Sequence, residues 1–303
     1  IDMTELYTTD AEIRIFDLVT LDDDLGFFPR YDAILVYRLE LESRAPEAVA
    51  AFKRLEWRVT ADAIITMNGR ATDKVPPAQV AADYVQEQFG IQAVVVSESN
   101  AHRLLRLTGE HMRLVGIALG AAIAIALPLG VLAARRPGLG QFLIAGSGVI
   151  QTIPSLALLV FMIPLLKTGA VPAIVALFLY GLLPIIANTA AGLRGIPPSV
   201  AESAEALGLS PVARLWRIDL PLASRSILAG VKTSAVIMIG TATLGALIGA
   251  GGYGQPIITG LQLNDWREIL FGAVPAAIMA LVVQGFFEVS ERVLVPRGLR
   301  LSG

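Results

Sequence analysis

The sequence predicts an all-α membrane domain with five transmembrane helices, preceded by an α/β segment that lies outside the membrane. Apolar residues make up 54% of the 303 positions and charged residues only 17%, a balance that soluble domains rarely show. Residues 1–100 carry 18 acidic and 9 basic side chains, whereas residues 101–303 carry 8 and 15. Two physically different segments therefore share one chain, and only the second contains long uncharged runs.

Residues 1–100 show the mixture of patterns that is typical of an α/β domain. Two runs rich in β-branched and aromatic residues predict strands at Glu12–Thr20 and Asp32–Leu41. Runs with helical periodicity follow, and the last of them is ended by Gly90. The predicted helices are Pro46–Trp57, Thr60–Asn68 and Pro77–Phe89.

Five uncharged runs in the second segment are long enough, or nearly so, to cross a bilayer, which takes about 20 helical residues. They are Leu114–Ala134, Gln141–Leu166, Thr168–Leu193, Thr233–Asn264 and Ile269–Phe287. The fourth run is too long for one helix, and we expect the glycine-rich residues 249–256 to end it and to leave a loop before the fifth. The alternative, buried helices of a large soluble protein, is disfavoured because such helices are shorter and carry a polar stripe.

The domain boundaries follow from these runs. Residues 1–100 form the external segment, residues 101–112 a linker, and residues 113–303 the transmembrane domain with a cytoplasmic loop at 194–225. His102 and His111 are expected on the polar surface of the linker. If the first span runs from outside to inside, nine basic residues flank the spans in the cytoplasm and five flank them outside. This distribution predicts that residues 1–100 are extracytoplasmic and that the C-terminus is cytoplasmic.

The loop between the third and fourth spans carries the most specific motif. Pro197–Ser199 can start a short helix, Gly208 can end it in a left-handed conformation, and Ser210-Pro211 can start a second, amphipathic helix. The loop reads Glu202-Ser203-Ala204, three residues, Gly208, nine residues, Ile218, one residue and Leu220-Pro221. This spacing resembles the EAA signature of ABC importer permeases, with Ser203 at the usual central alanine. The resemblance implies that the loop docks on a cytoplasmic ATPase subunit. The residues concerned are Glu202, Ser203, Ala204, Gly208, Ser210, Ile218, Leu220 and Pro221.

Four further segments are informative: QTIPSLALL (Gln151–Leu159), ALFLYGLLPIIANT (Ala176–Thr189), IGTATLGALIGAGGYG (Ile239–Gly254) and GLQLND (Gly260–Asp265). They are similar to permeases of the osmoprotectant importers, which move glycine betaine, choline, carnitine and related quaternary amines. The resemblance implies a type I ABC importer permease in a bacterial inner membrane. It also implies a homodimer that binds two copies of a separate ATPase, which would hold the ATP and Mg²⁺.

Two segments near the start are LYTTDAEI (Leu6–Ile13) and LDDDLGFFPRYDA (Leu21–Ala33). They resemble the C-terminal portion of the binding proteins that serve these importers. The resemblance implies a partial periplasmic-binding-protein-like domain, and since the chain opens at Ile1 we expect a further lobe and an export signal ahead of it. The family holds trimethylammonium groups in aromatic cages by cation–π attraction. Tyr7 and Tyr31 are the candidate cage residues, while Thr9 and Asp10 contribute to the site or hold its turn or hinge.

Several other functions are disfavoured by the sequence. The absence of cysteine excludes disulfides and thiolate chemistry, and neither histidine has a partner at metal-ligand spacing. Gly249, Gly251 and Gly254 fit the dinucleotide fingerprint but lack the βαβ unit that it needs, and no lysine fits a Walker A motif. We therefore expect no enzyme activity, metal or nucleic-acid partner. The alternatives left open are import of another betaine-like solute such as ergothioneine, an ion-coupled secondary transporter, and a receptor that only senses solute.

Overall fold

The computed structural model describes residues 3–28, 32–95 and 98–294. The chain divides into two compact units, Ile1–Ser97 and Glu98–Gly303. Within the described residues, all regular secondary structure is helical. The helices of the first unit are α1 (Glu12–Ile15), α2 (Glu40–Arg44), α3 (Pro46–Lys53), α4 (Ala61–Thr72) and α5 (Pro77–Phe89).

The three helices predicted in the first unit are confirmed as α3, α4 and α5. The hydroxyl of Thr60 caps α4 by accepting a hydrogen bond from the backbone N–H of Ala63 at 3.2 Å. Gly90 ends α5 with φ of 67°, the left-handed conformation that glycine adopts without strain. These boundaries follow from local chemistry, which is why the sequence predicts them well.

The two predicted strands are wrong for the part of this unit that the structure describes. Glu12–Ile15 is a helical turn, and residues 32–38 form no regular structure. A strand needs a neighbouring strand to satisfy its backbone N–H and C=O groups, and residues 3–28 and 32–95 contain none. Ile34 and Val36 are accordingly 76% and 85% exposed. Both segments are rich in β-forming residues, but the described residues of this unit contain no strand with which they could pair.

A tight turn separates the two mispredicted runs. The Asp23 carboxylate accepts hydrogen bonds from the backbone N–H groups of Phe28 at 2.8 Å and Phe27 at 2.9 Å. These bonds stabilise the ionised form and hold the pKa of Asp23 below its usual value. Gly26 adopts a φ of 62° within the same turn.

The second unit is a helical membrane domain. Its helices are α6 (Asn100–Arg135), α7 (Pro137–Thr152), α8 (Ser155–Leu166), α9 (Ala170–Arg194), α10 (Pro198–Ala206), α11 (Pro211–Arg214), α12 (Leu220–Ala242), α13 (Gly254–Gln262) and α14 (Trp266–Leu294). A π turn (Leu215–Asp219) joins α11 to α12, and a 3-10 turn (Thr243–Ile248) continues α12. In the described residues, four helical stretches could each cross a membrane, and α7 with α8 could form a fifth, bent span. The prediction of five spans is confirmed in this sense.

The core of the second unit lies where α9 packs between α6 and α12. Ala118, Ala122 and Ala126 recur at every fourth position of α6 and are fully buried. Gly130 continues this row, and a Cβ there would lie 2.5 Å from Cβ of Thr189 on α9. Small residues at such crossings let membrane helices approach closely and gain van der Waals contact, which drives their association in lipid.

The second predicted span, Gln141–Leu166, is broken rather than straight. The axes of α7 and α8 differ by 96°. The break falls at Ile153-Pro154, where both residues are extended, because proline supplies no N–H and disfavours a helical residue before it. The hydroxyl of Tyr180 on α9 donates to the carbonyl of Ile153, and Gln151 Nε2 donates to the Tyr180 carbonyl at 2.8 Å. The break is therefore stabilised by two hydrogen bonds between α9 and the residues around it.

The fourth predicted run, Thr233–Asn264, ends as expected at the glycines. Gly249, Gly251 and Gly252 all have φ between 77° and 85°. The loop expected beyond them is wrong for residues 254–262, which form α13 and pack against α14. Gly260 makes this packing possible, since a Cβ there would lie 2.6 Å from the backbone nitrogen of Ile269.

The expected linker at residues 101–112 is helical and forms the first turns of α6. Ser99 caps the helix by accepting from His102 N at 3.2 Å, and Arg106 forms an ion pair with Glu110 one turn later, at 2.9 Å. His102 is exposed as expected, but His111 is fully buried, with Nε2 3.0 Å from the Ile239 carbonyl on α12. The surface placement of His111 is therefore wrong, because the continuous helix turns this residue towards α12.

Candidate functional site

The loop between α9 and α12 folds into a compact hairpin at one end of the helical bundle. Pro198 lies in the first turn of α10, where its missing N–H costs nothing, and Ser203 Oγ donates to the Ser199 carbonyl at 2.8 Å. A serine at the usual alanine position of the motif is therefore satisfied within the helix. Ala204 is buried, with 1% of its surface exposed, and anchors α10 to the rest of the unit.

Gly208 ends α10 in the left-handed conformation that the sequence predicts, with φ of 72°. The N–H of Leu209 donates to the Ala204 carbonyl at 3.1 Å, and the N–H of Gly208 donates to the Glu205 carbonyl at 2.9 Å. This pair of bonds is a Schellman motif, which satisfies the last carbonyls of a helix. The motif depends on the positive φ, so it fixes the direction in which the chain leaves α10.

The second helix of the hairpin begins as predicted, at Ser210-Pro211. Ser210 Oγ accepts from the backbone N–H of Ala213 at 3.2 Å, and Pro211 occupies the first turn of α11. This helix is not free-standing, because the π turn joins it directly to α12. Leu220 and Pro221 open α12, and Ile218 is half-buried within the π turn.

Arg214 joins α10 to the base of α12, and the sequence reasoning missed it. Its guanidinium lies 3.5 Å from the Glu205 carboxylate and 3.3 Å from that of Asp219, which is 7% exposed. Arg214 and Asp219 are five residues apart, a spacing that an α-helix does not bring together but a π turn does. Through its ion pairs with Glu205 and Asp219, Arg214 connects the end of α10 to the start of the transmembrane helix α12.

Several residues of the hairpin present solvent-exposed side chains. We call this surface the docking face and define it as Glu202, Ser203, Leu207, Val212 and Trp216. Leu207 and Trp216 are 79% and 67% exposed. Within the described residues, Glu202 forms no ion pair. Exposed apolar side chains, together with a carboxylate that forms no ion pair in the described part of the chain, are suited to binding another protein.

The candidate ligand residues of the first unit share one turn. Asp10 Oδ2 accepts from the Tyr7 backbone N–H at 2.9 Å, and Asn68 Nδ2 donates to the Thr9 carbonyl at 2.8 Å. The Asp10 carboxylate and Thr9 carbonyl thus stabilise the turn, while the Tyr7 side chain is largely exposed. Tyr31 lies outside the described residues. No group of three metal-ligating side chains occurs in residues 3–28, 32–95 and 98–294.

Family models match both units of the chain. Residues 126–299 match the family described as the binding-protein-dependent transport system inner membrane component. Residues 1–87 match the substrate-binding domain of ABC-type glycine betaine transport systems. The first match spans more than half of the chain and includes the hairpin with its docking face.

Curated proteins and a solved structure agree with these matches. The choline transport system permease protein OpuBB of Bacillus subtilis is 43% identical over 203 residues, covering 67% of this chain and 94% of that protein. The glycine betaine/carnitine/choline transport system permease protein OpuCB of the same organism is 41% identical, covering 69% and 96%. The osmoprotectant import permease protein OsmW of Salmonella typhimurium is 37% identical, covering 66% and 96%.

A chain of the MetNI methionine ABC transporter, in an inward-facing conformation, superposes with a TM-score of 0.59 and 25% identity, covering 66% of this chain and all of that one. The second unit therefore has the predicted fold of a type I ABC importer permease. The chain belongs to the family of binding-protein-dependent transport system inner membrane components, with a segment of the glycine betaine substrate-binding family ahead of its permease domain.

Proposed function

We propose that the chain is the permease subunit of an ATP-driven importer for quaternary-ammonium osmoprotectants such as glycine betaine, choline or carnitine. The names of its relatives support this substrate class, and the substrate-binding segment at residues 1–87 belongs to the same kind of system. A permease of this family is not itself an enzyme. Its ATP and Mg²⁺ would be held by a separate subunit, and the permease would act as a homodimer in a bacterial inner membrane.

The docking face is the main observation that supports the proposal of an ATPase partner. It combines exposed Leu207, Val212 and Trp216 with the Glu202 carboxylate, at the loop whose spacing resembles the permease signature. Because Arg214 ties α10 to α12, a push on the docking face would move α12 and the helices packed on it. ATP-driven closure of the partner would in this way alternate the spans between outward-facing and inward-facing states.

Coupling to an ion gradient is the second candidate, and one observation favours it. The break between α7 and α8 resembles the discontinuous helices that form ion sites in secondary transporters. The Ile153 carbonyl at this break, however, accepts a hydrogen bond from the Tyr180 hydroxyl, so it is less available to coordinate an ion. The docking face has no role in an ion-coupled transporter, and we therefore favour the ABC importer.

Uptake measured in proteoliposomes separates the two candidates. We expect uptake of labelled choline or glycine betaine to need a co-purified ATPase subunit and internal ATP, with no dependence on an imposed Na⁺ or proton gradient. Glu202→Lys should weaken ATPase co-purification and uptake about tenfold, since it reverses an exposed charge at the docking face. Glu87→Lys makes the same charge change on exposed surface of the first unit and should leave both unchanged. Uptake driven by a gradient without ATP would contradict the proposal.

The proposed orientation can be tested by cysteine labelling, because the chain has no cysteine of its own. Ala170 and Ala206 are both exposed, so burial does not limit labelling at either position. An impermeant maleimide applied to intact cells should label Ala170→Cys and should label Ala206→Cys only after lysis. Labelling of Ala206→Cys in intact cells would contradict the proposed topology and, with it, the external placement of residues 1–100.

We also propose Tyr7 as one wall of the solute site in the first unit. Tyr7 is 64% exposed and lies on a turn that hydrogen bonds involving Asp10 and Asn68 stabilise. Cation–π attraction to one ring contributes about 0.5–2 kcal/mol, so Tyr7 alone cannot hold a quaternary amine tightly. Further rings are needed, and Tyr31 is the candidate that the sequence offers.

A further inference from the structure

A cavity of about 430 Å³ opens where α6 and α9 end beside the start of α11. Its lining divides into a polar and an apolar part. The polar part is formed by three arginines and one aspartate, and the apolar part by residues from the ends of two spans and from the hairpin. The lining residues are Ala134, Arg135, Leu193, Arg194, Pro211, Arg214, Leu215 and Asp219.

The cavity carries an excess of positive charge. Arg214 is paired with Asp219 and Glu205. Arg135 and Arg194 donate only to backbone carbonyls, Arg135 to that of Pro211 at 3.3 Å and Arg194 to that of Ala133. Within the described residues neither forms an ion pair, and both side chains are exposed. Each guanidinium has five N–H donors, so both retain donors for a further acceptor.

The position of the cavity indicates where that acceptor comes from. Ala134 and Leu193 are the last apolar residues before the arginines that end α6 and α9, and both helices are long enough to cross a membrane. Arginine at the end of such a span lies at the level of the lipid headgroups. Apolar walls beside guanidinium groups therefore match the glycerol and phosphate of a phospholipid, and basic pockets between span ends accept anionic headgroups.

We propose that this cavity binds the phosphate headgroup of an anionic phospholipid, with Arg135 and Arg194 as its main ligands. This site goes beyond the proposed function and does not depend on which solute is carried. A guanidinium binds phosphate with two parallel hydrogen bonds, which a lysine cannot do. One bound headgroup would connect the ends of α6 and α9 to the hairpin. It would thereby fix the position of the docking face relative to the helical bundle.

The test uses the purified full chain in neutral detergent, titrated with phosphatidylglycerol and followed by native mass spectrometry. We expect one phosphatidylglycerol to bind at low lipid concentration, with at least tenfold preference over phosphatidylcholine and no displacement by millimolar inorganic phosphate. Arg135→Gln should weaken binding about fivefold through the loss of one charge. Arg135→Lys keeps the charge and should weaken lipid binding by less than Arg135→Gln does. Arg136→Gln is the matched control, because its side chain is exposed but does not line the cavity.

Three outcomes would overturn the proposal. Equal weakening by Arg135→Gln and Arg136→Gln would indicate attraction to the whole basic surface rather than a site. Displacement of the lipid by inorganic phosphate would assign the cavity to a free anion. If Arg135→Gln left lipid binding intact but prevented co-purification of the ATPase subunit, the cavity would belong to the protein interface. Failure of ATP-driven uptake would not bear on the lipid site, so the two proposals fail separately.

Discussion

Gly208→Val is expected to reduce uptake at least tenfold while the five spans still insert and the protein still purifies as a monodisperse species. Gly208 holds φ of 72°, which costs an L-residue roughly 1–2 kcal/mol and is especially unfavourable for a β-branched side chain. A Cβ at this position would meet no atom within 4 Å, so the effect is one of backbone conformation and not of collision. Relaxing the strain would break the Schellman motif and turn α10 away from its position. Uptake and stimulation of the ATPase subunit are the measurements.

Two further variants separate backbone conformation from added bulk. Gly208→Asn should keep most of the activity, since asparagine tolerates the left-handed region better than other L-residues. Ala206→Val adds apolar bulk two residues earlier, at an exposed helical position, and should have a small effect. Normal uptake by Gly208→Val, or equal losses in Gly208→Val and Gly208→Asn, would contradict a conformational role for this glycine.

Gly230→Ala is expected to lower the stability of the membrane domain by about 1–3 kcal/mol, the usual cost of overpacking a well-packed core. The added Cβ would lie 2.6 Å from the Pro184 carbonyl oxygen and 2.8 Å from Cβ of Asn188. The nearest atom belongs to the backbone of α9, so a side-chain rotation cannot relieve the contact and the two helices must separate. Thermal unfolding in detergent, followed by size-exclusion chromatography, measures the loss.

Gly240→Ala is the matched control on the same helix. Gly240 is exposed, and a Cβ there meets nothing within 4 Å. Since alanine favours helix over glycine by about 1 kcal/mol, this variant should be neutral or slightly stabilising. Equal behaviour of Gly230→Ala and Gly240→Ala would show that α9 and α12 are not packed as closely as described.

Features that depend on local chemistry could be predicted from the sequence. The span lengths, the left-handed glycines at 90 and 208, and the cap at Ser210 follow from a few neighbouring residues. Features that depend on distant partners could not. The strand predictions assume a neighbouring strand, and the burial of His111 requires knowledge that Ile239 lies opposite it. The ion pair of Arg214 and Asp219 depends on a π turn, for which the sequence provides no reliable signal.

Some errors came from treating local signals as independent of tertiary structure. Pro154 marks a break, yet an uncharged run that continues past it is compatible with one kinked span as well as with two helices 96° apart. The choice depends on whether another helix satisfies the freed carbonyl, as Tyr180 does here. Similarly, the glycines after Ile248 end one helix, but the helix that follows is stabilised by packing against α14.

The continuity of α11, the π turn, α12 and the 3-10 turn has a mechanical consequence. Together they form one helical stretch of 38 residues, which is about 57 Å long at 1.5 Å per residue. If this stretch moved as one rigid body, tilting it by about 5° about its α11 end would displace the other end by roughly 5 Å. That end meets Gly249–Gly252, where the N–H of Gly252 is held by the Glu110 carboxylate at 2.9 Å. If the docking face binds the ATPase subunit as we propose, a small change in the tilt of this stretch would move its far end by more than the length of the hydrogen bond between Gly252 and Glu110.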